Sequence, residues 1–126
     1  MSPIHIITLL AVLQYFVFGI FVGRARARYG VKAPAMSGHE MFERAMRIHI
    51  NTLEQLAGFI PTMFIAAQYW SEHLIAGIGA VYLVGRLIYW RSYMSDPSKR
   101  RLGFILTVLP TFIFIGLGLY GAIKSL

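Results

Sequence analysis

Between Ile4 and Gly23 the chain carries no Lys, Arg, Asp or Glu. A hydrocarbon core about 30 Å thick is crossed by about 20 residues of helix at about 1.5 Å each, so this run is the length of one membrane crossing. Three further stretches qualify: Ile48 to Tyr69, Leu74 to Tyr93 and Leu102 to Ile123. The first run has no basic residue before it, unlike a signal peptide, so it reads as a retained helix. The fold class expected is therefore an all-α integral membrane protein, a bundle of four transmembrane helices over about 4–23, 38–70, 74–93 and 102–123 in a single domain, 1–126.

Composition supports lipid as the main solvent. Apolar residues make up 57% of the chain and charged residues 13%, too few to clothe a water-soluble surface. The net charge of +7 would suggest nucleic acid in a soluble protein. Here the basic residues stand at the ends of apolar runs, which points to topology and to no nucleic-acid partner. Apart from Lys124, every one of the twelve Lys and Arg residues falls between Arg24 and Arg47 or between Arg86 and Arg101. With four spans these two regions share one side, which the positive-inside rule makes cytoplasmic, leaving both termini on the other. There is no cysteine, so thiol chemistry must use a thiol brought by a substrate.

The segment Arg24 to Gly38, basic and containing Pro34, reads as the one long connection. Ser37-Gly38-His39-Glu40 has the spacing of a capping box, placing the start of the second helix near Ser37. Pro61 and Pro110 fall inside spans, where neighbouring helices can take up the freed carbonyls.

The informative residues are those that are costly to place in lipid. Arg44, Arg47, Asn51 and Glu54 follow at offsets of three and four, on one helical face, and Arg86, Tyr89 and Tyr93 repeat the pattern in the third helix. Counted back from the Ser71–His73 turn at about 1.5 Å per residue, Arg86 lies about 19 Å deep, Glu54 and Tyr89 about 25 Å, and Asn51 and Tyr93 about 30 Å. Both faces thus occupy the cytoplasmic third of the bundle, where Glu54 is placed to pair with Arg86 or to accept from Tyr89. A buried ion pair with snorkelling arginines is one explanation. The excess of cationic donors favours another, an anionic ligand with more than one carboxylate or phosphate, which Arg forks bind bidentately. His49, about 200° around the helix from Arg47, is expected to face a loop or headgroups. His5, His39 and His73 make no metal spacing.

The run Glu43-Arg44-Ala45-Met46-Arg47-Ile48-His49-Ile50-Asn51-Thr52-Leu53-Glu54 resembles the signature of the membrane-associated proteins in eicosanoid and glutathione metabolism, the MAPEG family. Gly85-Arg86-Leu87-Ile88-Tyr89 with Tyr93, then Arg100-Arg101-Leu102-Gly103-Phe104, is similar to the segment that supplies the thiol end of the site in that family. The resemblance implies a homotrimer of four-helix subunits, with glutathione as cosubstrate held between subunits near the cytoplasmic face. Arg47, Asn51 and Glu54 would hold the tripeptide with Arg26 from the loop after the first helix. Tyr89 and Tyr93 would line the other wall, Arg86 would support Glu54, and Arg100, or its neighbour Arg101, would face the thiol as the catalytic residue. Ile50 and Tyr89 stand where some members have a basic residue and a His.

The function this implies is a membrane glutathione transferase, with possible peroxidase activity, that activates the thiolate for attack on lipophilic electrophiles or lipid hydroperoxides. The alternative is a non-catalytic lipid- or glutathione-binding protein of the same fold. A small multidrug exporter would need an uncompensated membrane carboxylate, and the first helix offers only Gln14. The membrane expected is a bacterial inner membrane ahead of the endoplasmic reticulum.

Overall fold

A computed structural model describes all 126 residues. Four helices make up nearly the whole chain: α1 (Ser2–Tyr29), α2 (Glu40–Tyr69), α3 (Glu72–Ser95) and α4 (Arg101–Lys124), with a single 3-10 turn at Pro97–Lys99 before α4. α1 packs on α2, α2 on α4 and α4 on α3, while α3 closes back on α1 and touches α2 across the middle. α1 and α4 make no substantial contact, so the helices run round the bundle in the order α1, α2, α4, α3.

Two element boundaries differ from the sequence expectation. α1 continues through Arg24, Arg26 and Arg28 instead of breaking into a loop, and it stops at Gly30, whose φ of 69° closes the helix in the left-handed conformation. The Ala and Arg residues there are good helix formers, and the cations sit favourably at the negative end of the helix dipole. The connection is thus shorter, residues 30–39. At its end the Ser37–Glu40 capping box does not form. Gly38 takes a φ of 142°, a conformation that side-chain-bearing residues rarely adopt, and α2 starts beyond it at Glu40. His39 caps α2 instead, its Nδ1 accepting from the Met41 amide at 3.1 Å, while the Glu43 carboxylate reaches back to the Gly38 amide at 3.2 Å.

Three of the four helical segments, those of α1, α3 and α4, are long and apolar enough to cross a membrane. α2 is just as long, at 30 residues, but its first half carries the polar face already described. Around the outside, Leu9, Leu13, Phe16, Ile20, Phe112 and Leu119 are all more than half exposed, a surface for lipid and not for water. The chain is an all-α membrane bundle.

The core is unequally distributed along the bundle axis. At the end holding both termini it is continuous and apolar: Ile4, Phe59, Met63, Ile75, Tyr82 and Phe114 are buried together, with the rings of Phe59 and Tyr82 stacked 3.9 Å apart. Toward the other end it breaks into two small clusters, one around Phe42 and one around Phe18, Ile48 and Tyr89. Beside the second of these, at Tyr89, the lining turns polar.

Close approach of α3 and α4 positions that polar region. A Cβ at Gly85 would stand 2.8 Å from the main chain of Leu106, and one at Gly103 would overlap the main chain of Tyr89. Only glycine permits these contacts. Arg44 fixes the far end of α3 from α2, donating to the carbonyls of Met94 at 2.8 Å and Ser95 at 3.2 Å and pairing with Glu40 at 2.6 Å. It is a C-terminal cap supplied by another helix. His49 faces neither loop nor headgroups: its ring stacks 4.5 Å from Tyr15 and lies against Gly19, filling the α1–α2 seam.

Candidate functional site

Beside the cluster of Phe18, Ile48 and Tyr89, the helices α2 and α3 and the start of α4 border the chain's largest cavity, about 700 Å³ and open on one side. α2 contributes Arg47 and Asn51, one turn apart on one face. α3 contributes Tyr89 and Tyr93, again one turn apart. The 3-10 turn adds Ser98, and α4 adds Arg100, Arg101 and Phe104. Three guanidinium groups thus converge on one hollow whose lining includes no carboxylate. The free amides at the start of α4 add partial positive charge to the same end.

Arg86 lies beneath this cavity and not in its wall. It is fully buried, one helical turn before Tyr89, with its guanidinium 4.4 Å from the centre of the Tyr89 ring. Its Nη1 donates to Asn51 Oδ1 at 2.8 Å and, more weakly, to Thr107 Oγ1 at 3.5 Å, and its Nη2 donates to Thr52 Oγ1 at 2.8 Å. One side chain on α3 therefore ties α2 to α4. The expected partnership with Glu54 does not occur: Glu54 is exposed and makes no ion pair within the chain. The reason is angular. Asn51 and Thr52 both point at α3, whereas Glu54 lies on the far side of Asn51, about 60° round the helix from it and about 160° from Thr52.

Tyr89 is 4% exposed, clamped between Arg86 on one side and Tyr93 and Phe104, with ring centres 5.5 and 6.4 Å away. Arg100 is the N-cap residue of α4, and its Nη1 donates to Pro97 O at 2.9 Å, which holds the guanidinium over the 3-10 turn. Arg101 also lines the cavity and makes no hydrogen bond within the chain through its side chain.

Of the residues expected at the site, then, Arg47, Asn51, Tyr89, Tyr93 and Arg100 meet around one cavity, and Arg86 underpins it. Arg26 and Glu54 do not join them in a single chain. Arg26 belongs to α1, not to a loop, and is occupied there: it donates to Ala35 O at 2.7 Å and lies 4.7 Å from the centre of the Phe42 ring. Ser98 and Thr107 were not anticipated. Thr107 had a signal, a hydroxyl in mid-span, but threonine can satisfy itself on its own helix, as this one also does by donating to Gly103 O at 2.7 Å.

Comparison with known proteins is consistent with this geometry. Residues 4–120 match the model of the MAPEG family. An uncharacterized protein of Synechocystis sp. is 46% identical over 110 residues, covering 87% of this chain and 80% of the relative. Microsomal glutathione S-transferase 2 of Homo sapiens is 33% identical over 119 residues, covering 94% of this chain and 81% of the relative. Leukotriene C4 synthase of Cavia porcellus is 36% identical over 94 residues, 75% of this chain and 63% of the relative. The family match takes in all four helices and every residue around the cavity, and on that ground the chain belongs to the MAPEG family.

Proposed function

We propose that this chain is a membrane-bound glutathione transferase, with peroxidase activity toward lipid hydroperoxides, that works as a homotrimer with glutathione held between subunits. The observation that carries the reading is a cavity of about 700 Å³ lined by Arg47, Arg100 and Arg101 with no carboxylate of its own, in a chain similar to a microsomal glutathione S-transferase over nearly its full length. Glutathione brings two carboxylates and one ammonium, and guanidinium forks match the carboxylates. Glu54 is the acidic residue of α2 that lies within one turn of Asn51. It is exposed in the single chain, so Glu54 completes the site where a second subunit closes against the first and takes the ammonium; Arg26 joins it there by exchanging its bond to Ala35 O for the ligand.

A free thiol has a pKa near about 8.5, and a guanidinium beside it favours the thiolate, the reacting species. Arg100 fills that role, with its Nη1 anchored on Pro97 O and its other N–H groups free to face sulfur. In conjugation the thiolate sulfur forms a bond to an electrophilic carbon of a lipophile arriving from the bilayer. The electron pair leaves with the departing group, or takes a proton after addition to a double bond. In peroxide reduction the sulfur attacks the distal oxygen, the O–O bond breaks to give an alcohol and a sulfenic acid, and a second glutathione yields disulfide and water. The basic end of the bundle is the cytoplasmic one, with both termini outward, and the membrane is a bacterial inner membrane.

The test is conjugation and peroxidase turnover by purified protein, with Arg100→Ala and Arg101→Ala beside it. Arg100→Ala is expected to lose thiolate absorbance at neutral pH and about 100-fold in kcat, the usual effect of removing one group that stabilises developing charge. Full turnover in Arg100→Ala with loss in Arg101→Ala would exchange the two roles. Glutathione binding without turnover of any electrophile would favour a binding protein of the same fold.

A further inference from the structure

The geometry points to Arg86 as a positioning residue that sets which end of the Asn51 amide faces the ligand, making Asn51 a dedicated hydrogen-bond donor to a carboxylate or carbonyl oxygen. The inference rests on the glutathione reading above and concerns how the site selects for that ligand.

A guanidinium has N–H donors and no acceptor. Since Arg86 Nη1 lies 2.8 Å from the Asn51 side chain, the atom it meets must be the carbonyl oxygen. The NH2 group is thereby turned the other way. Asn51 is half-buried and lines the cavity, and its NH2 group is spent on no partner within the chain. The two threonines close off any other arrangement. Thr52 donates its only proton to Ile48 O at 2.7 Å, and Thr107 donates its own to Gly103 O. Each hydroxyl can then only accept from Arg86, as it does at 2.8 and 3.5 Å. Every hydrogen bond that Arg86 makes runs outward from it; its Nε has no partner but is buried, so the free donor of the network that reaches the cavity is the Asn51 NH2 group. With Arg47, Arg100, Arg101 and the phenol protons of Tyr89 and Tyr93, the cavity wall becomes a set of donors. It therefore favours ligands rich in oxygen acceptors and disfavours cationic ones at this end.

Arg86 itself is fully buried and touches no ligand, so its effect belongs in binding and not in the chemical step. The experiment uses the full-length protein in detergent micelles, with melting temperature measured without glutathione, glutathione affinity by calorimetry, and KM and kcat with a lipophilic electrophile. Asn51→Asp exchanges the donor for an acceptor while giving Arg86 a carboxylate to pair with. It is expected to melt at or above wild type and to bind glutathione about ten- to hundredfold more weakly. Arg86→Met should raise the KM for glutathione about tenfold with kcat little changed, and Arg86→Lys, which keeps a donor at this place, should restore part of that loss.

Asn51→Asp binding glutathione as well as wild type, or Arg86→Met leaving KM unchanged, would overturn the inference. So would Asn51→Asp melting well below wild type, because that denies the pairing with Arg86 whatever the ligand. If wild type itself bound no glutathione, the functional reading would fail, while the melting comparison would still decide the Arg86–Asn51 orientation. Should Arg86→Met not fold, Asn51→Asp and Arg86→Lys carry the decision.

Discussion

Gly103→Ala should damage stability and turnover together, through a single methyl group. The ideal Cβ at Gly103 stands 2.5 Å from Tyr89 Cα and 2.8 Å from Tyr89 Cβ, whereas carbon atoms in contact prefer about 3.5–4.0 Å. The shortfall is about 1 Å, and main-chain atoms cannot rotate out of the way, so α4 must retreat from α3 by about that distance. Overpacking of this kind costs about 1–3 kcal/mol, and the better helix propensity of alanine returns about 1 kcal/mol. The net loss expected is about 0–2 kcal/mol, or about 1–3 kcal/mol relative to a glycine-to-alanine change on the same helix that meets no neighbour. Gly116, on the same helix, has nothing within 4 Å of its ideal Cβ, so Gly116→Ala supplies the control and should hold or gain up to about 1 kcal/mol. Arg100 lies one turn before Gly103, so the retreat of α4 also carries its guanidinium away from Tyr89. A displacement of about 1 Å can cost about 100-fold in rate. Thermal unfolding in detergent and glutathione conjugation assays read the two effects. If Gly103→Ala melted with Gly116→Ala and turned over like wild type, the close α3–α4 contact would not be what positions the site.

Arg44→Ala should lower the melting temperature by the equivalent of about 1–2 kcal/mol, because it uncaps the Met94 and Ser95 carbonyls at the end of α3. Glu40→Ala, which removes only the largely exposed partner of that arginine, should cost at most about 1 kcal/mol. Tyr82→Phe should melt within about 1 kcal/mol of wild type or above it: the hydroxyl has no protein partner, and the stack on Phe59 is kept. In the turn before α4, the Ser98 hydroxyl and amide both donate to Asp96 Oδ1 at 2.8 and 3.0 Å. They hold the carboxyl below its usual 3.8, with Lys99 and Arg44 adding smaller pulls the same way. A folded value lower than the unfolded one stabilises the turn above about pH 4 and loses that contribution as pH falls through the folded value. The Ser98 amide resonance should follow this titration in wild type, and its pH dependence should vanish in Asp96→Asn.

The polar faces show where sequence reasoning reaches its limit. Periodicity put Arg47, Asn51 and Glu54 on one side of α2, and within about 100° that was right, but a helix face is broad enough to serve two neighbours. Asn51 turns inward to Arg86 while Glu54 stays at the surface. The connection after α1 was misjudged for a related reason. Arg24, Arg26 and Arg28 interrupt an apolar pattern, and interruption reads as a loop, yet alternating Ala and Arg continue a helix without strain. The capping box failed because its spacing is satisfied by many sequences, whereas the φ of 142° at Gly38 is a property of the whole turn.

By itself the sequence determined the solvent, the number of helices, the end of the bundle that carries the charge and the family. All of these follow from one-dimensional quantities: run lengths set by bilayer thickness, the cost of charge in hydrocarbon, and the spacing of a motif. The tertiary structure decided which polar groups meet. It placed Arg86 under the cavity and not in it, joined it to Asn51, Thr52 and Thr107 in place of Glu54, and left Arg26 bound to its own loop. Those choices depend on how far α3 and α4 can approach each other at Gly85 and Gly103 and on rotations of a few tens of degrees about each helix axis. Contact requires side chains from different helices within about 3 Å, a distance that helical periodicity along a single segment does not encode.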